Sequence, residues 1–206
     1  MKVLIDNGHG CDTPGKRSPD GRLREYAYTR EIAARLADTL RLAGIETECI
    51  VPEEYDVPLD ERARRANRIY DECNRDAILV SIHCNAAGDG SRWMSARGWS
   101  VYVDNYASFN SCNLASTMSK EPTRKELRSA PHRGICLTGR TVYISATTPT
   151  APQCLWRTSF RTTWMMWTIS SRKMASKRSR ILWQEVLSTT LKKWHSNDKE
   201  SADILR

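Results

Sequence analysis

His9, Glu25 and His83 are the residues whose types and placing could do chemistry together. His9 lies between Gly8 and Gly10, and small neighbours leave room for an ion and for close backbone approach. His83 closes the apolar run Ala77–His83 and is followed by Cys84-Asn85-Ala86-Ala87. Glu25 stands at the start of a helical pattern, two residues after Leu23. Two neutral imidazoles and one carboxylate, with a fourth position left for water, form a catalytic zinc pattern. A separate carboxylate would normally take the water's proton and hand it to the leaving amine. Singly, each residue has a blander use. A histidine after a strand is more often a loop or capping residue, and a glutamate at a helix start is commonly a first-turn acid favoured by the helix dipole. Cys84 adjoins His83, but strand alternation turns it to the opposite face, where a buried thiol is its expected state. His132 and His195 carry little weight, because they lie in a tail of foreign composition.

These residues need elements to carry them. Lys2–Asp6 is a short apolar run ending in an acid, which predicts a buried strand. From Arg24 to Ala43 apolar residues recur at helical spacing (Ala27, Ile32, Leu36, Leu40), and Gly44 supplies a C-terminal stop. Ile45–Val51 predicts a second strand, and Pro58–Arg75 a second helix opening with proline and acids. Ala77–His83 is the strongest strand signal, Gly98–Asp104 another, and a third helix is expected to begin in Ser108–Met118. Alternating strands and helices imply right-handed crossovers and an α/β fold, a mostly parallel or mixed sheet with helices on both faces. Ligands then bind beyond the carboxyl ends of the strands, where His9 and His83 fall.

Composition bounds the rest. No apolar run reaches the roughly eighteen residues of a transmembrane helix. The opening Met1-Lys2-Val3-Leu4-Ile5-Asp6 meets an acid at once and has no signal-peptide core, so a soluble chain, cytoplasmic at synthesis, is expected. Seven cysteines without a CxxC pair exclude a cysteine zinc ribbon or a simple disulfide framework. The net charge of +8 points at first to nucleic acid. Its distribution argues otherwise: residues 1–118 carry 15 basic and 18 acidic residues, residues 119–206 carry 17 and 6, and Leu127–Gln184 has no acid.

Three motifs together carry a family resemblance: Ile5-Asp6-Asn7-Gly8-His9-Gly10, Arg24-Glu25-Tyr26-Ala27-Tyr28-Thr29-Arg30-Glu31, and Ser81-Ile82-His83-Cys84-Asn85-Ala86. In that order, on those elements, they resemble the zinc-dependent N-acetylmuramoyl-L-alanine amidases. The resemblance implies that His9, Glu25 and His83 are the metal ligands, that Zn2+ is the cofactor, and that the substrate is peptidoglycan, cut at the amide between N-acetylmuramic acid and L-alanine. It implies neither a nucleic-acid nor a membrane partner. Asn7 stands where many members have proline or alanine. The family also uses a catalytic glutamate near its C-terminus in an E-x-x-F strand, and no such motif is present, so no catalytic residue is assigned.

The codon table accounts for the gap. Tryptophan and methionine have one codon each, so Trp164-Met165-Met166-Trp167-Thr168 must be encoded TGG ATG ATG TGG ACN. Read one base earlier, this contains Asp-Asp-Val-Asp. The same shift over Ala151–Met174 permits V-L-V-E-N-F-F followed by an acidic helix, with the family glutamate straddling Trp156 and Arg157. Residues 1–118 therefore read as the intact part of one amidase catalytic domain. Residues 119–206 read as its remainder, out of frame from a point between Met118 and Leu137 and expected to pack poorly. Two other readings compete. One is a catalytically dead remnant that binds zinc or wall fragments. The other is a nucleic-acid binder using Arg157, Arg161, Arg172, Lys173, Lys177, Arg178 and Arg180 with interleaved tryptophans, which out-of-frame composition explains more simply.

Overall fold

A computed structural model describes residues 1–85, 89–93, 98–103, 109–124, 135–136, 162–168, 189 and 191–192. The continuous apolar runs form the middle of a sheet, as expected of strands covered on both faces. Strand β1 (Lys2–Asn7) is buried from its second residue to its end. It pairs in parallel with β2 (Glu46–Cys49) on one side and β3 (Ala77–Asn85) on the other, with Ile5 opposite Cys49 and Val80. Alternation then sorts side chains to two cores. Val3, Ile5, Ile78, Val80 and Ile82 face Ile32, Leu36 and Leu40 of helix α1 (Glu25–Leu42). Leu4, Ala77 and Leu79 face Ala66 and Ile69 of helix α2 (Leu59–Glu72).

Helix α1 stops as its sequence predicts. Gly44 takes φ 73°, its N–H reaches the Arg41 carbonyl at 2.9 Å, and the Ile45 N–H reaches Leu40 at 3.0 Å. These are the two bonds of a Schellman ending, completed by apolar burial of Ile45 and Leu40. Helix α2 buries only Arg62, Ala66 and Ile69, spaced four and three apart, so its inner face is a single stripe headed by a charge.

Beyond β3 the sheet continues through β6 (Thr162–Thr168), β4 (Gly98–Val103) and β5 (Ile135–Cys136), in the order β2-β1-β3-β6-β4-β5. Only the β4–β6 pair is antiparallel, so the sheet is mixed and mainly parallel. Helix α3 (Phe109–Arg124) adds Leu114, Ala115 and Met118 to the α1-side core. The sequence predicts a poorly packed C-terminal portion. Within it, Thr162–Thr168 occupies an inner position of the sheet and Leu191 is fully buried in the α1-side core. Its other residues, apart from those of α3 and β5 and from Thr189 and Lys192, lie outside the described residues.

Candidate metal centre

The three chemistry-bearing residues converge at the carboxyl end of β1 and β3. Gly8 prolongs the ladder, its N–H bonding the Ile82 carbonyl at 2.9 Å. His9 then takes φ 61°, a left-handed conformation seldom adopted by a side-chain-bearing residue. Helix α1 holds that turn. Thr29 donates to the Gly8 carbonyl at 3.0 Å and Arg30 to the His9 carbonyl at 3.0 Å, while Arg30 also reaches the Glu53 carbonyl. Thr29 lies one helical turn beyond Glu25, so one face of α1 both holds the loop and presents the carboxylate.

Two glycines are required by close approach. A Cβ on Gly8 would stand 2.5 Å from His83 Nδ1, and one on Gly10 would overlap the backbone of Tyr55 and Asp56. The Gly10 N–H is received by Thr13 at 2.9 Å, and Thr13 in turn donates to Asp56 at 2.6 Å. Asn7, the departure from the family pattern, donates to the Val51 carbonyl at 2.8 Å and ties the end of β1 to the segment after β2.

His9 Nε2 lies 3.5 Å from Glu25 Oε1, and His83 Nδ1 lies 3.4 Å from the same oxygen. The three donor atoms are all within 4.8 Å of one another. The histidine rings meet edge to face with centroids 4.9 Å apart. These separations are long for N–H···O bonds, which favour about 2.7–3.2 Å. The two histidine–carboxylate distances match donors that share one ion: bonds of about 2.0–2.2 Å at tetrahedral angles place neighbouring donors roughly 3.3–3.6 Å apart.

The electrostatics fit the same use. Burial, opposed by the Glu25 charge, pushes the His9 imidazolium down from 6.5 to about 4, so the ring is neutral near pH 7. For Glu25, burial pushes the carboxyl up. The His83 ring beside it, the charges of both histidines and the Cys84 N–H outweigh it, and the group titrates below the ordinary 4.5. That N–H reaches Glu25 Oε1 at 2.7 Å. The Cys84 side chain packs against the core that holds Val80 and Ile82, on the face alternation assigns it. Asp56, whose charge His9 also feels, is bound by Arg62 at 2.9 Å and by Thr13.

Some of the support was not foreseen. Arg62, 5 % exposed, bridges Asp6 at 2.7 Å, Asp56 and the carbonyls of Asn7 and Val57, and Ser81 closes on the other Asp6 oxygen at 2.5 Å. The available signal was an arginine on the apolar stripe of α2, in register with Ala66 and Ile69. His132, His195, Glu126, Glu185, and Trp156 with Arg157, where the family glutamate would straddle, lie outside the described residues; Glu121 falls in α3.

A sequence model of the N-acetylmuramoyl-L-alanine amidase family matches residues 3–164. Over 103 residues, half of the chain, the sequence is 31 % identical to N-acetylmuramoyl-L-alanine amidase AmiC of Neisseria meningitidis serogroup B. That stretch is 22 % of the Neisseria protein, so the chain spans about a fifth of that relative's length. Among solved structures, N-acetylmuramoyl-L-alanine amidase from Clostridium difficile 630 superposes with a TM-score of 0.73 at 21 % identity, over 95 % of this chain and 97 % of that one. The amidase Ami1 from Mycobacterium smegmatis superposes with a TM-score of 0.72 at 16 % identity, over 96 % and 97 %. At these identities the structural likeness is one of fold.

Proposed function

Because the chain belongs to the N-acetylmuramoyl-L-alanine amidase family, we propose that it is a zinc-dependent hydrolase of the amide joining N-acetylmuramic acid to L-alanine in peptidoglycan, impaired in its present form for want of a general base. The observation that carries the zinc assignment is the spacing of His9, Glu25 and His83, with donors 3.4 and 3.5 Å apart. In this reading all three hold the ion. Zn2+, when bound, acidifies a water ligand and polarises a carbonyl. The chain's own residues do the rest. Burial keeps the His9 ring unprotonated and ready to bind metal. The Cys84 N–H orients the Glu25 carboxylate, and Arg30 and Thr29 hold the turn that aims His9.

Departure of the alanine nitrogen needs a proton from a positioned acid. Asp56 is tied to Arg62 and Thr13, and no E-x-x-F segment exists anywhere in the chain. Residues 1–118 are the intact part of the domain in this reading, and 119–206 the remainder, out of frame. Resequencing the gene tests that directly, since one restored base near codon 130 would return the glutamate. For the metal, the experiment is zinc content after dialysis. The chain is expected to hold one equivalent and His83→Ala none; undiminished zinc in the variant would refute the ligand assignment.

A further inference from the structure

Beside the metal centre runs a cleft of about 310 Å3 walled by residues 10–17 together with Arg24 and Tyr26. It starts next to two members of the triad, since Gly10 follows His9 and Arg24 precedes Glu25. Its charge sets it apart. In residues 1–85, Lys2 and eight arginines (22, 35, 41, 62, 64, 65, 68 and 75) each face a carboxylate. Four cations do not: Lys16, Arg17, Arg24 and Arg30. Arg30 is used up on the carbonyls of His9, Tyr26 and Glu53. The other three line this one cleft. The acid in its wall, Asp12, accepts the Asp56 N–H at 2.7 Å. The Arg24 guanidinium lies 5.6 Å from the centroid of the Tyr26 ring, with Arg30 at 5.7 Å from the same ring. Arg17 and Arg24 are joined by a backbone bridge that fixes the shape of the wall.

Three unpaired cations beside a hydrolytic centre suit an anionic part of the substrate. On the proposed peptidoglycan substrate the glycan is uncharged once the lactyl carboxyl is in the amide, while the stem peptide carries free carboxylates. We infer that Lys16, Arg17 and Arg24 form the subsite for the stem peptide, binding the free α-carboxylate of the γ-linked glutamyl residue that follows L-alanine. The inference rests on the amidase reading, and it assigns the leaving peptide, not the sugar, to the α1 side of the metal centre. Carboxylates gain charge-assisted hydrogen bonds from guanidinium groups that a carboxamide cannot match.

The test is an NMR titration of the full, zinc-supplied chain with two cleavage products, L-alanyl-γ-D-glutamyl-L-lysine and the same tripeptide with the glutamyl α-carboxylate replaced by a carboxamide. The acid form is expected to bind about tenfold more tightly. The double variant R17A/R24A should lower its affinity to that of the carboxamide form and leave the carboxamide form unchanged. Equal affinity of the two peptides, or equal loss of both in the variant, would overturn the subsite while leaving the amidase reading intact. Binding of neither peptide would overturn both.

Discussion

The spacing between a glycine and a histidine ring governs the site at the scale of single residues. A Cβ on Gly8 would lie 2.5 Å from His83 Nδ1 and 2.7 Å from the Ile82 carbonyl, so the ring or the strand must move. Gly8→Ala is therefore expected to weaken zinc binding about 10- to 100-fold, the usual cost of disturbing what orients a ligand. Competition with a chromophoric chelator measures this, and unchanged affinity would mean that His83 is not held where the structure puts it. Protonation acts on the same residues. The unfolded chain protonates His9 near 6.5, the folded one only near 4. Between those values the unfolded state binds more protons, so the fold loses stability as pH falls. Glu25 titrates below its ordinary 4.5 when folded, so its contribution is present above that value and is lost on further acidification. Urea midpoints of chelator-treated protein should drop between pH 6.5 and 4, by on the order of 2–3 kcal/mol from His9. A flat profile over that window would contradict a buried, neutral His9.

At the scale of elements, the contact between α2 and β1 is an ion pair in an apolar seam. Arg62 and Asp6 are both almost fully buried, and Arg62 also holds the end of β1 through the Asn7 carbonyl. Removing one partner of such a pair leaves a charge without compensation, at about 3–5 kcal/mol. Arg62→Ala should cost that much by denaturant unfolding. It should also lower zinc affinity, because Asp56 and the end of β1 both depend on it. A loss below about 1 kcal/mol would show that the buried pair is worth no more than an exposed one.

For the molecule as a whole, the three candidate metal ligands all lie within residues 1–85, but the strand paired beyond β3 comes from the tail. His83 stands opposite Met166 of β6, and the sheet then runs on to β4 and β5. One side of the site is thus supplied by the portion that the proposed reading puts out of frame. Loss of a positioned acid or base typically costs about 10²- to 10⁴-fold. The chain is accordingly expected to release L-alanine N-termini from purified peptidoglycan at least about 100-fold more slowly than a frame-restored version, whose activity should vanish with chelator. Equal rates would overturn both the frame reading and the need for the missing glutamate.

Much of this site is legible in order and type alone. Strands with glycine or histidine near their carboxyl ends announce a ligand position: His9 lies two residues past the end of β1, His83 two residues before the end of β3, and Glu25 opens α1. Local chemistry nominated them and the resemblance of three ordered motifs to the amidase family selected them, whereas the Gly44 helix stop followed from local chemistry alone, because a cap depends on neighbours a few residues away. Three features depended on distant partners. Burial of the Arg62 guanidinium requires Asp6, 56 residues earlier, and the closeness of Gly8 to His83 requires the β1–β3 register. The cationic cleft appears only when each lysine and arginine can be matched with its carboxylate. Composition records how many charges a chain has; only the folded backbone decides which of them meet, since pairing is set by distance in space and not by separation along the chain.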